Sequence, residues 1–307
     1  MQAEQDHDRK VTLHLSEACR NPALAAPFLA EKLGISQAEA ADRLCYLAGP
    51  ISAPLSHRHA MGLRAILSTL GVRVDLHPQG HDTPRSFDLS LQTQSWADPE
   101  QVAARLEQVI GGSRTDHLHA LAQPAGLVLP EISAAAAAEL DRRLRRIRGL
   151  TLQHLDRRHA CLDLFAPCPL SADQAKLLSE VSRTFGLTGD ATSGAVLAGL
   201  GHGLAARVLA RFAGAGLIAV NRAFQRYDLH LTGYAGWLTK DLADFLAART
   251  GTSRARFEFL SPAEPIRLDA GLTYLHARRF CADYAAIGLF VRPRLCGLPQ
   301  NSDNPIL

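Results

Sequence analysis

Apolar residues recur along the chain in one frame, four times over. Ala60, Leu63, Leu67 and Leu70 are spaced i, i+3, i+7 and i+10, which lines one helical face. Gly71 closes that run with a residue free to take the left-handed conformation. The same frame holds Ala137, Leu140, Leu144 and Ile147 before Gly149; Ala205, Val208, Phe212 and Ala215 before Gly216; and Ala277, Phe280, Tyr284 and Ile287 before Gly288. Four positions ahead of each alanine stand Ser56, Ser133, Gly201 and Thr273, all residue types that cap helix N-termini. Further back, Ile51 with Leu55, Val128 with Ile132, Val196 with Leu200, and Leu268 with Leu272 predict a short strand whose apolar side chains enter one core. A second strand follows each glycine, as VRVDL, LTLQHL, LIAV and LFVRP.

Each repeat also opens alike. VTLHLS (11–16), FDLSLQ (87–92), CLDLFA (161–166) and YDLHLT (227–232) alternate as strands do. Helical stretches come next: ALAAPFLAEKLG and SQAEAADRLCYLAG in the first repeat, DPEQVAARLEQVIGG in the second, SADQAKLLSEVSRTFG in the third and LTKDLADFLAARTG in the fourth. Pro22 and Pro99 fall near helix starts, where a missing N–H costs nothing. The pattern predicts an α+β fold of four tandem β-α-α-β-α-β units, each a three-stranded sheet with helices on one face. Their bounds are 11–80, 84–156, 158–222 and 226–297, joined by short linkers at HPQGHDTPR (77–85), DRRH (156–159) and NRAFQR (221–226). The third is degenerate, because ATSGAVLAGLGHGLAAR leaves little room for a second helix. Agreement of cap, helix face, glycine and flanking strands in four places goes beyond what an alanine- and leucine-rich composition produces. Units of about 70 residues are marginal alone, so repeats joined this closely are expected to pack against one another.

Composition narrows the class without naming a role. With 307 residues, 47% of them hydrophobic, the chain has material for several folded domains. A net charge of +3 demands neither nucleic acid nor membrane, and a pI of about 8.6 falls short of a strongly basic domain. The polar opening MQAEQDHDRK has no signal-peptide core and no run of eighteen apolar residues occurs, so a cytoplasmic, non-membrane protein is expected. Six cysteines are scattered without a CxxC pair, which argues for buried thiols rather than a zinc ribbon or redox pair.

The first repeat resembles the C-terminal domain of the bacterial ribosomal stalk protein. The likeness lies in LGISQAEAADRL followed by ISAPLSHRHAMGLRAILSTLGVRVDL: an LG turn, an acidic helix, a serine cap, a helix of alanines and leucines, a glycine and a last strand. That family has the same strand and helix order, and the N-degron adaptor of the Clp protease shares a similar fold. The resemblance implies small, non-enzymatic binding domains; four copies imply a scaffold or adaptor. It does not carry over the stalk's recruitment of translation factors, which uses basic residues on the first two helices, where ALAAPFLAEKLG offers only Lys32. Nor does the chain match the stalk's dimerising segment and hinge or the adaptor's degron-binding residues.

Chemistry-bearing clusters are few. His57 with His59, His117 with His119, and His154 with His159 invite a metal, but residues two apart on a helix point apart, and a site needs three or four converging ligands. No metal and no cofactor are expected. His14 and His230 hold corresponding places in opening strands, each facing away from its flanking leucines. GLGHGLAAR lacks the lysine and hydroxyl of a phosphate loop, so its glycines are read as turn residues; Cys161 or Cys168 beside His159 has no nucleophile signature around it. The sharpest charge feature is DRRLRRIR, where Leu144 and Ile147 point inward and Arg142, Arg143, Arg145, Arg146 and Arg148 fan outward, with Arg157 and Arg158 as an extension. It reads either as a surface for phosphate or an acidic partner, or as a solvated face balanced by Glu139, Asp141 and Asp156. Sparse aromatics around it weigh against single-stranded nucleic acid. The sequence therefore predicts a non-catalytic adaptor or scaffold that binds protein partners, with nucleic-acid contact through the arginine helix as the alternative.

Overall fold

The computed structural model describes residues 10–17, 19–45, 50–78, 85–94, 96–190, 193–258 and 265–297. Most of the linker 77–85, and with it the expected boundaries at 80 and 84, lies outside those residues, as does the end of the stretch SQAEAADRLCYLAG.

Four three-stranded antiparallel sheets are present, and in each the opening strand of the repeat is central. The first repeat runs β1 (Lys10–Leu15), α1 (Pro22–Leu33), α2 (Gln37–Cys45), β2 (Leu55–Ser56), α3 (His57–Thr69) and β3 (Val74–Pro78). The second runs β4 (Ser86–Thr93), α4 (Pro99–Ile110), α5 (Arg114–Leu121), β5 (Leu127–Ser133), α6 (Ala134–Leu144) and β6 (Leu150–Asp156). The third has β7 (Leu162–Phe165), α7 (Ala172–Phe185), β8 (Leu197–Leu200), α8 (His202–Arg211) and β9 (Ile218–Asn221). Among its described residues there is no second helix before β8, where Asp190 and Ala195 pair as an isolated bridge. The fourth has β10 (Arg226–Tyr234), α9 (Lys240–Thr250), the single turn α10 (Ala255–Glu258), β11 (Ile266–Thr273), α11 (Tyr274–Ala286) and β12 (Leu289–Leu295). Among the described residues no helix is long and apolar enough to cross a membrane.

Local chemistry sets these elements. Ser56, Ser133 and Thr273 each accept a hydrogen bond from the backbone N–H three residues on, at the starts of α3, α6 and α11. The four closing glycines, Gly71, Gly149, Gly216 and Gly288, all have φ between 63° and 83°, where a side chain is strained. In the first repeat the expected strand at 51–55 is shorter than its apolar pair predicts. Ile51 is fully buried, but Leu13 N–H is taken by the Ser52 hydroxyl at 3.1 Å, so regular pairing survives only at Leu55–Ser56.

A second shared device was not foreseen. Asp88, Asp163 and Asp228, the second or third residue of an opening strand segment, each accept a backbone N–H from the neighbouring strand: Glu131 at 3.2 Å, Gly199 at 2.8 Å and Gly271 at 2.9 Å. Those three donors have φ of 58°, 76° and 65°, and the β7–β8 and β10–β11 registers shift there. The carboxylate satisfies an amide that the bulge takes out of the ladder.

By packing, the chain forms two compact units, each built from alternate repeats. The first gathers the described parts of Met1–Ser86, Asp156–Gly189 and Val196–Ala219, so repeats one and three share it. Leu13, Leu29, Leu44 and Leu67 of repeat one and Leu164, Leu200 and Leu204 of repeat three lie in one continuous buried core. Each such leucine is worth roughly 1.5–3 kcal/mol relative to exposure. The second unit gathers the described parts of Phe87–Leu155, Asp190–Ala195 and Val220–Leu307, which are repeats two and four with the turn from repeat three. Repeat two keeps a core of its own, with Leu89, Leu91, Leu106 and Leu144 fully buried.

The polar side of the first unit explains an oddity of the repeat. Gly201 begins α8 with no capping side chain. The Asp42 carboxylate of α2 does that work instead, accepting from Leu204 N–H at 3.0 Å and from the Gly203 amide. A Cβ on Gly201 would fall 2.0 Å from Asp42 Cγ, so the residue is glycine because the cap arrives from another repeat. Arg207 adds donors to the carbonyls of Cys19 and Arg20.

Candidate functional site

In the second repeat, α4 and α6 carry apolar stripes that meet in the core: Val102, Ala103 and Leu106 on one, Leu144 on the other, with Ile147 just beyond. Their outward residues face a groove of about 630 Å³. Arg105 projects from α4; Arg142 and Arg143 from α6; Arg146 and Arg148 from the turn that follows. Val109 and Ile147 give the groove an apolar floor, and among the described residues no carboxylate lines it.

Four of the five sequence-predicted arginines thus converge, while Arg145 turns away to pair with Asp141 at 2.7 Å. Glu139 shows how the site treats a carboxylate. Arg142 holds it with two donors, Nε at 3.0 Å and Nη2 at 2.7 Å, and Arg143 Nε adds a third at 2.6 Å. Hydrogen bonds from Arg142 and then Arg143 pull the Glu139 carboxyl down to about 2. Arg146 is exposed and makes no ion pair among the described residues. At the end of the groove the Arg148 guanidinium lies 5.7 Å from the ring centre of Trp96, which is 62% exposed.

Arg105 and Trp96 were missed from the sequence. Arg105 stands alone in its helix, and its only signal is that it shares a stripe with Gln101 and Gln108, facing outward while Leu106 faces in. Arg157 and Arg158 are not among the residues that line the groove. Arg157 is buried in the first unit against His202, and Arg158 pairs with Asp156. The balancing role read for Glu139, Asp141 and Asp156 is thus real for part of the run.

The other clusters hold less. His117 is buried with Nε2 2.6 Å from Gly111 O, whereas His119 is exposed, and His59 contacts its own cap Ser56 at 2.9 Å. Among the described residues no three His, Cys, Asp or Glu side chains are grouped to hold a metal. His14 is buried rather than surface-facing, its ring 4.5 Å from that of His77 on β3. His230 is half-buried, and burial lowers its pKa. Cys19 is buried, Cys168 exposed and the other four thiols half-buried. Burial pushes Cys45 up to about 11 and Cys296, helped by Asp228, up to about 12, away from the thiolate a nucleophile needs. None of the family models, curated proteins or solved structures compared with the chain matches it.

Proposed function

We propose that the chain is a non-catalytic adaptor that holds an acidic segment of a protein partner in the arginine groove of its second repeat. The carrying observation is the convergence of Arg105, Arg142, Arg143, Arg146 and Arg148 on one groove that no carboxylate lines among the described residues. Glu139 serves as an internal template: its carboxylate takes the fork of Arg142 and a third donor from Arg143, the arrangement a partner's glutamate or aspartate would meet at the free Arg146. The likeness of the first repeat to ribosomal stalk domains supports the same class, since those are small bacterial binding domains.

A regulator that contacts nucleic acid through the same arginines is the second reading, and Trp96 favours it, because an exposed indole backed by a guanidinium is a stacking platform. The protein reading leads because Trp96 is a single aromatic beside the groove among the described residues, whose lining holds none. Affinity capture with the whole chain as bait separates them. Proteins carrying acidic segments should be retained by the wild type and lost from the Arg142→Ala/Arg143→Ala/Arg146→Ala variant. Identical protein captures from the two baits, or captures dominated by nucleic acid, would overturn the proposal.

A further inference from the structure

A second concave surface lies within the second unit, where the start of β10 and the end of β12 meet β4, β6 and the α5–β5 loop. Its volume of about 570 Å³ lies in the range of small-molecule sites. Main chains build its wall: a Cβ on Gly297 would lie 2.4 Å from Ala122 O, so the turn after β12 crosses the α5–β5 loop at backbone distance. Gln92 ties the other side, its Nε2 donating to Phe224 O at 2.6 Å and Ala125 O at 3.3 Å.

The charges in this cleft do not cancel. Asp228 is spent: Oδ1 accepts Gly271 N–H at 2.9 Å and Cys296 Sγ at 3.2 Å, and Oδ2 faces Arg267 at 3.3 Å. Arg226, half-buried, has no such counter-ion among the described residues. Its Nη1 donates to the carbonyls of Ala223 at 3.3 Å and Gln225 at 2.7 Å, which fixes the guanidinium plane, while Nε and Nη2 have no protein acceptor there. Burial accordingly weakens its hold on the proton. A fixed, half-desolvated guanidinium with two donors to spare is complementary to a two-oxygen anion. The neighbouring Thr151 hydroxyl and the exposed indole of Trp96 add a polar contact and an apolar wall.

We propose that this cleft binds a small organic anion, with its phosphate or carboxylate on Nε and Nη2 of Arg226. The site is separate from the groove reading and stands without it. The test uses the full chain with Trp237→Phe, a substitution at a side chain 91% exposed, so that Trp96 is the one remaining tryptophan. Its fluorescence is titrated with inorganic phosphate and, in a second arm, with acetate, and the tighter arm identifies the headgroup. A saturable change with millimolar Kd is expected. Arg226→Gln should weaken it about tenfold or more, and Arg226→Lys, which keeps charge without the fork, should weaken it less. The triple-alanine groove variant should leave the Kd unchanged, which distinguishes failure here from failure of the groove. No saturable change with either anion, or an unchanged Kd in both Arg226 variants, would overturn the proposal. Should the glutamine variant fail to fold, the lysine variant decides alone.

Discussion

At the residue scale, the pair Asp42 and Gly201 shows how repeats in one chain are told apart. Repeats one, two and four carry their own Ser or Thr cap on the repeated helix; repeat three has glycine there and receives a carboxylate from α2 of repeat one. Asp42→Ala should cost about 1–2 kcal/mol, because Leu204 N–H loses its acceptor in a half-dry setting. Gly201→Ser alone should also destabilise, since its Cβ meets Asp42 Cγ at 2.0 Å. Combined, the two changes restore a cap of the kind Ser56 provides, so urea unfolding of the four proteins should give a favourable coupling of about 1–3 kcal/mol. Additive losses would show that the carboxylate is not acting as the cap. Sequence could not show this. Glycine is an acceptable N-cap by itself, and nothing local links it to an aspartate in α2. The bulge-satisfying aspartates were nearer to hand, since FDLSLQ, CLDLFA and YDLHLT share the residue, but a polar position in an alternating strand reads simply as outward-facing.

At the element scale, α6 was legible and its groove was not. Helical periodicity puts Leu144 and Ile147 inside and the arginines outside, which the structure bears out. Which arginines act together depends on α4 lying alongside, and on acids within reach: Asp141 removes Arg145 while Arg105 arrives from another helix. Glu139 is the internal competitor for this surface. Its carboxyl titrates lower folded than unfolded, so its pairing contributes above about pH 4.5 and is lost as the pH falls towards about 2. Side-chain NMR should follow the Glu139 carboxyl through that window, and an ordinary midpoint would mean the arginines do not hold it. Glu139→Gln releases Arg142 and Arg143, and should tighten binding of an acidic peptide by about two- to fivefold. A weaker complex would mean that Glu139 is part of the binding surface rather than its competitor.

At the scale of the whole molecule, four repeats were visible as a pattern, but their pairing was not. Self-similarity reports what each copy needs to fold; it carries no information on which copy covers which, because that is decided by unshared residues such as Asp42, Arg207 and Gln92. Alternate pairing makes one consequence specific. Repeat one completes its core with repeat three, whereas repeat two has a closed core. A fragment holding repeats one and two should therefore protect repeat two from hydrogen exchange and leave repeat one largely unprotected, until the fragment holding repeats three and four is added. Protection of repeat one in isolation would contradict the shared core. For function, the central claim is that the arginine groove prefers acidic protein segments. The most direct measurement is the affinity of the full chain for a glutamate-rich peptide and for a single-stranded oligonucleotide of equal charge, at one ionic strength, with and without Arg142, Arg143 and Arg146. The peptide should bind more tightly and lose about tenfold or more in the triple-alanine variant; tighter binding of the oligonucleotide, or a peptide affinity indifferent to those arginines, would show that the groove does not prefer acidic protein segments.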